Sequence, residues 1–399
     1  MLIRRGLVAG LLLASGETAM AASDVSNSGG IANTATATVA ASVASSQTAA
    51  IINNAATGGF SSGVGAGGSG GFGNVGTGGS GGFGTGGTGG SGGFGSGGTG
   101  GSGGFGPGGS GGSAPGGGDG GSSSGGRSNG SFNTRGVGAA GGDPDRDTGL
   151  WGQVLWANID KTEKYLEMNG QVGNGLIGID HRFGKRYLVG LSAGYEAIDL
   201  ETQFNNGTYK ANGFTVAPYV AIDLTPAWVL DLAATYTWLN YDTTRNFGAV
   251  NSSFSGYRVM GSSNLTGSYA VDHWRIQPRV SLLYSSEHQN NHRESDGSEV
   301  GDIAVRLGRL SGGGKVGYDI GDGVLPYVKV IGEWDFLHPG AVAKTSTLMS
   351  NVDEGGVVGG IGLEVSRGGV TGSLEVDNNS LFREDLDVWA VIARMRWEM

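Results

Sequence analysis

The chain contains no cysteine. That excludes disulfide staples and Cys-ligated metal sites, and it suits an exported protein that avoids oxidation outside the cytoplasm. Basic clusters are missing too, and the formal net charge is −10. Nucleic acid is therefore not an expected partner, because phosphate binding needs a basic patch. Beyond the first twenty or so residues, no apolar run approaches the ~18 residues of a membrane-spanning helix. The residue in excess is glycine, with 84 in a chain of 399 residues, against an average usage of roughly 7%. Most of it lies before residue 143. Glycine brings no apolar side chain and loses the most backbone entropy on ordering. The first third cannot build a core, which leaves one folded unit of about 250 residues at the C-terminal end.

The chain opens "MLIRRGLVAGLLLASGETAMAAS". Arg4 and Arg5, the apolar stretch Leu7 to Ala14 and the small-x-small site Ala19-Met20-Ala21 have the order of an export signal over residues 1–21. Residues 22–57 are rich in Ala, Ser and Thr. There, Val39, Val43, Ala50, Ile51 and Ala55 stand near helical spacing, which predicts a helix over 35–56 with Gly58 as a C-cap. The many β-branched residues oppose it. Residues 67–110 repeat an eleven-residue unit, GGSGGFGxxG followed by Thr or Ser, that carries Phe72, Phe83, Phe94 and Phe105. One ring per repeat cannot form a solenoid core, so 58–149 reads as a low-complexity tether or short passenger. "GRLSGGGKV" fails as a phosphate loop, because Val316 stands where Ser or Thr is needed.

From Leu150-Trp151 onward the pattern changes to strict alternation. Ile276, Pro278, Val280, Leu282 and Tyr284 share one face, while Arg275, Gln277, Arg279 and Ser281 share the other. Val328, Val330, Trp334 and Phe336 oppose Lys329, Ile331, Glu333 and Asp335. Leu230, Leu232, Ala234, Tyr236 and Trp238 oppose Asp231, Ala233, Thr235 and Thr237. Trp389, Val391, Ala393, Met395 and Trp397 oppose Ala390, Ile392, Arg394 and Arg396. Such segments are strands with one apolar and one polar face.

A soluble β-domain would alternate as well. Three features favour a membrane barrel. The segments are ~10 residues or longer, as membrane strands require. Their polar faces carry Gly, Ser, Thr and charges of both signs, as a wet lumen does. Aromatic residues (Trp228, Tyr236, Trp238, Trp334, Phe336, Trp389, Trp397) flank the apolar faces like an interfacial girdle. Pro218 and Pro278 within strand-like runs count against. The expected fold is all-β, a twelve-stranded antiparallel transmembrane β-barrel. Its strands are expected near 150–160, 171–183, 186–199, 208–223, 227–243, 254–271, 273–287, 300–320, 325–337, 355–367, 369–379 and 386–397. Within the strand 300–320, the stretch "RLGRLSGGGK" has the character of a bend, and 287–299 that of a long exposed loop.

With its leading export signal, its non-barrel region, the first strand "GLWGQVLW" and the alternating, aromatic-bearing last strand, the sequence resembles the autotransporter β-domain family over residues 150–399. The resemblance implies a barrel in the bacterial outer membrane, assembled with periplasmic chaperones and the barrel assembly machinery. It also implies an upstream passenger at the cell surface and a segment retained in the pore. A final aromatic residue is typical of the family. Here Trp397 stands two residues before Met399, so the C-terminal insertion signal departs from the pattern. Some members cut themselves at an Asn-Asn bond in the pore. None of the Asn pairs lies in 127–149, so Asn53-Asn54 qualifies only if the 35–56 helix fills the pore.

The expected function is therefore an outer-membrane barrel that anchors, translocates or displays a short Gly-rich N-terminal segment. Asp231, Arg275, Arg279, Glu333, Arg394 and Arg396 are the expected lumen-facing charges, and Trp397 and Met399 the C-terminal signal. Two alternatives stay open: a pore plugged by its N-terminal region, and an outer-membrane hydrolase. For the latter, Asp180-His181, Asp272-His273 and Glu287-His288 set a carboxylate beside an imidazole, but neighbours on a strand face opposite ways. No enzymatic activity, cofactor or metal is expected.

Overall fold

Alternating segments that cannot hydrogen-bond to lipid must pair with one another until no edge remains. In the computed structural model, which describes residues 28–56, 147–163, 166–184, 186–337 and 353–399, they do so. Twelve antiparallel strands form a closed barrel, with one helix on the N-terminal side. The helix is α1 (Ser28–Ala56). The first six strands are β1 (Thr148–Lys161), β2 (Met168–Phe183), β3 (Tyr187–Thr202), β4 (Gly207–Thr225), β5 (Trp228–Arg245) and β6 (Val250–Gly267). The others are β7 (Trp274–Gln289), β8 (Ile303–Tyr318), β9 (Val324–Leu337), β10 (Gly355–Arg367), β11 (Val370–Leu381) and β12 (Leu386–Glu398). Each pairs with the next, and β1 pairs with β12 from Gly149↔Glu398 to Lys161↔Leu386, which closes the cylinder.

The two ends of the barrel differ. One carries β1's start, β12's end and the short connections after β2, β4, β6, β8 and β10. The opposite end carries the two longest connections, 290–302 and 338–354. Within 290–302, residues 292–293 pair with 299–300. Arg245 holds this hairpin to β5, with Nη2 on Asp296 at 2.8 Å and Nε on Glu294 at 3.2 Å.

The outward faces carry two aromatic bands. Tyr195, Phe214, Trp238 and Tyr257 stand in register across β3 to β6. Phe183, Tyr187, Trp274, Tyr318 and Trp397 stand exposed near the short-turn end. From Tyr187 to Tyr195 the strand covers about 26 Å at ~3.3 Å per residue. A tilt of ~40° leaves about 20 Å along the membrane normal, near the ~25 Å of an outer-membrane apolar band. Exposed Val189, Leu191, Val280 and Leu282 fill the interval.

Several expectations need correction. The segment 287–299 is not all loop. Strand β7 runs to Gln289, and Glu287 is buried, because its charge belongs to the lumen face of a continuing strand. The strand expected over 300–320 is present, and its stretch 306–315 does not bend out of the sheet. Ile303–Tyr318 is one strand, with Gly312, Gly313 and Gly314 all paired to β7. Both prolines sit where their missing N–H is harmless. The β4–β5 ladder lapses between Val216↔Tyr236 and Tyr219↔Ala233, at Pro218. The pairing of β7 to β6 stops at Thr266↔Arg279, and β7 resumes at Tyr269↔Ile276, beside Pro278. Trp228 is half-buried at the short-turn end, edge-on to Tyr269, rather than in a free girdle. The proposed export signal, the Phe-bearing repeats, Gly58 and the Asp143-Pro144 turn lie outside the described residues.

Leu191, exposed midway between the aromatic bands, tests the lipid face. Leu191→Arg is expected to destabilise the barrel by about 2–4 kcal/mol, read by denaturant unfolding in lipid vesicles.

Candidate functional site: the barrel lumen

The inward positions of the strands do not enclose an empty channel, because α1 runs through them. Its residues Ala37, Ala40, Ala41 and Ala44 share one buried cluster with Ile159, Met168, Leu200 and Tyr209. Ile52 joins another with Trp151, Leu188, Tyr219, Ala221 and Val229. The helix carries no charged residue between Ser28 and Ala56. Its small Ala, Ser and Thr side chains keep it thinner than the usual ~10–12 Å, which suits a narrow lumen. Hydroxyls bind it to the walls. Ser45 Oγ meets Ser285 Oγ at 2.8 Å, Asn174 Nδ2 donates to Thr48 Oγ1 at 2.9 Å, and Arg309 Nη1 donates to Ser46 Oγ at 2.8 Å.

The helix starts seven residues before the expected 35–56 span. Propensity alone disfavours a start through Gly29 and Gly30. The packed face also differs from the expected one. Val39 and Val43 are half-buried, whereas Ala37, Ala40, Ala44, Ser45, Thr48 and Ile52 are among the buried residues. A lumen surrounds the helix, so polar and small residues are buried where a one-sided apolar stripe would be expected on a surface helix.

Charged networks line the wall, three of them as follows. Near the long-loop end, Arg258 bridges Glu196 and Glu287, with Nη1 2.9 Å from Glu196 Oε2 and Nη2 2.7 Å from Glu287 Oε2. Tyr241 donates to Glu287 Oε1 at 2.9 Å, and Gln289 Nε2 donates to Tyr209 Oη at 2.9 Å. On the β8–β12 side, Glu375 receives Lys315 at 3.1 Å, Lys329 at 2.8 Å, Arg394 at 3.0 Å and the Tyr327 hydroxyl at 2.6 Å. One carboxylate thereby ties β8, β9 and β12 to β11, and Lys329 also pairs with Asp377.

The third network crosses the seam where the barrel closes. Arg396 on β12 reaches over β1 to Asp180 on β2, with Nη2 2.6 Å from Oδ1 and Nη1 3.0 Å from Oδ2. Tyr219 donates to Asp180 Oδ2 at 2.7 Å, and Trp151 Nε1 donates to the Tyr219 hydroxyl at 2.6 Å. The strand crossed carries Gly149 at that point. A Cβ there would lie 2.1 Å from Arg396 Nη2 and 2.6 Å from Asp180 Oδ1, so only glycine leaves room for the pair.

The six expected lumen charges fall as follows. Asp231 is buried and accepts from Asn264 Nδ2 at 2.6 Å. Arg279 donates to Asn264 Oδ1 at 3.1 Å and to Ser281 Oγ at 2.7 Å. Glu333 pairs with Arg309 at 2.9 Å and with Arg383 at 3.2 Å. Arg394 and Arg396 belong to the networks above. Arg275 stands apart at the short-turn rim, 2.9 Å from Asp319. Of the C-terminal pair, Trp397 faces outward, and the Met399 N–H donates to the Thr148 carbonyl at 2.8 Å.

Sequence reading missed Glu196, Arg258, Arg309, Lys315 and Glu375, and considered Asp180 only as a neighbour of His181. Their signal was present, a charge between outward apolar neighbours, as in Leu374-Glu375-Val376. Beside the helix remains a cavity of about 150 Å³, bordered by Ser42, Ser46, Arg279, Lys315, Lys329 and Glu375. Among the described residues, no group of His, Asp and Glu is placed to hold a metal ion. Asp180 is buried while His181 is exposed on the other face, and the same inward–outward split separates Glu287 from His288. These pairs are not posed for joint acid–base work.

A closed twelve-strand barrel with outward aromatic bands and a polar, charged lumen is a bacterial outer-membrane barrel. The Autotransporter beta-domain model matches residues 150–378, and the chain belongs to that family. Among solved structures, it is similar to the translocator domain of the autotransporter NalP from Neisseria meningitidis, with a TM-score of 0.53 at 14% identity. That match covers 63% of this chain and 88% of the other. It is also similar to the beta domain of the Bordetella autotransporter BrkA, with a TM-score of 0.50 at 18% identity, covering 63% of this chain and 99% of the other. The transport unit of AIDA-I from Escherichia coli matches with a TM-score of 0.50 at 10% identity, over 63% of this chain and 90% of the other. At such identities the likeness concerns the fold alone. Among curated proteins, none matches the chain in sequence.

The seam pair gives a direct test. Arg396→Met leaves Asp180 buried without its partner and is expected to cost about 3–5 kcal/mol, whereas Arg396→Met combined with Asp180→Leu recovers most of that loss. Unfolding of the purified barrel in detergent or lipid measures both.

Proposed function

We propose that this outer-membrane barrel anchors its own N-terminal region by keeping α1 in its pore. The supporting observation is that α1 is hydrogen-bonded to opposite parts of the wall, through Asn174 on β2 and through Ser285 and Arg309 on β7 and β8. Arg309 is held for this task by Asp335 (Nη2 to Oδ2, 2.8 Å) and Glu333. Asp231, Arg279, Glu333, Arg394 and Arg396 act mainly as structure in this reading: they stiffen the wall that grips the helix. Trp397 and Met399 serve as the C-terminal mark for the assembly machinery, by resemblance to the family. Anchoring also requires the Asn53-Asn54 bond, in the last turn of α1, to remain whole.

The same observation favours a second reading, a pore whose plug is its own N-terminal helix. Both predict a sealed lumen. The full chain in planar bilayers is expected to conduct little, and a variant lacking residues 28–56 is expected to show a clear rise in single-channel current. Equal currents from the two would contradict both readings.

A further inference from the structure

The polarity of α1 in the pore bears on the Gly-rich repeat. Ala37 to Ala44 pack with residues toward the long-loop end, such as Ile159, the partner of Val388, and Met168, the first residue of β2. Ile52 packs with Trp151, Leu188 and Val229, each within four residues of a strand terminus at the short-turn end. The helix therefore runs antiparallel to β1. Ala56 follows Ile52 by about 6 Å of helix rise at ~1.5 Å per residue, so the chain leaves the pore at the short-turn end. Strand β1 begins at that same end, where Thr148 is opposite His181.

Resting on the reading that α1 occupies the pore, we infer that residues 57–147, with all four repeat phenylalanines, lie on the periplasmic side of the outer membrane and are not displayed at the cell surface. Both ends of the segment are at one rim, and in outer-membrane barrels the short turns are the periplasmic ones. To reach the surface, the segment would have to cross the pore and return beside α1. Each crossing needs about 9–11 extended residues. The cavity beside the helix is about 150 Å³, room for a small cluster of waters and not for a length of extended chain. Two extended crossings do not fit. The expectation from the resemblance is that the Gly-rich region belongs to the displayed passenger or its tether. Here the pore helix comes before the repeat, so the repeat becomes a periplasmic loop between plug and barrel.

The cysteine-free chain makes the test simple. Single variants Ser91→Cys in the repeat, Ser298→Cys in the 292–300 hairpin and Asp322→Cys in a short turn are treated with a membrane-impermeant maleimide, on intact cells and after permeabilisation. The expected result is labelling of Ser298→Cys on intact cells, and labelling of Ser91→Cys and Asp322→Cys only after permeabilisation. Labelling of Ser91→Cys on intact cells, with Asp322→Cys still protected, would overturn the inference. The conductance of the same preparations separates the two readings. A surface-labelled repeat with a low-conducting pore means that the loop topology is wrong while the plug stands. A surface-labelled repeat with an open pore means that the plug reading has failed. A protease site inserted at Phe94, cut only after permeabilisation, supports the inference in a second format.

Discussion

Everything in this molecule depends on one constraint: in hydrocarbon, a backbone N–H or C=O has no water to bond. An open sheet would leave one edge of β1 and one edge of β12 bare. Their pairing over thirteen residue positions removes both edges at once. Closure then fixes the rest. With no edge left, alternate residues of every strand must face either lipid or the enclosed space. The outward set is apolar and banded by aromatics, and the inward set mixes polar and charged residues with apolar ones that pack on α1. The seam is also where Arg396 and Asp180 clasp across Gly149, so the joint made by backbone bonds is reinforced by a charge pair.

The enclosed space creates its own demands. A carboxylate removed from bulk water needs partners, and the lumen supplies them from neighbouring strands: three cations and a tyrosine for Glu375, and two acids for Arg258. An uncharged helix of small residues fits between these networks without competing for their charges. It is neither a membrane span nor a surface amphipathic helix. In isolation its β-branched content and double glycine would make it marginal. Packed against the wall from β1 to β8, it gains contacts that offset that weakness.

Much of the barrel was legible from the sequence, because period-two alternation is a property of single strands. Val328 against Lys329, or Trp397 against Arg396, needs no knowledge of a neighbour. The pairing of inward charges was not legible. Glu375 and Lys315 stand sixty residues apart and meet only through the register of β8 to β11. The end of β7, at His288 and Gln289, was missed for a related reason. Polar residues near Asn-rich sequence read as a loop until closure shows them to continue the strand. The start of α1 and its buried face were missed because the surroundings that decide them belong to distant strands. Gly149 falls in the same class, since its neighbours Arg396 and Asp180 come from other strands.

The central claim is that α1 lies inside the closed barrel, and its most direct measurement is a cross-link. Ser45 and Ser285, whose Oγ atoms are 2.8 Å apart, are replaced together by cysteine in the otherwise cysteine-free chain. Mild oxidation of the purified, membrane-inserted protein is predicted to form one intramolecular disulfide. After cleavage within 57–147, α1 should remain attached to the barrel until reductant is added. If both thiols stay free and reactive, and α1 is released by that cleavage without reductant, the helix is not in the pore and the account is contradicted.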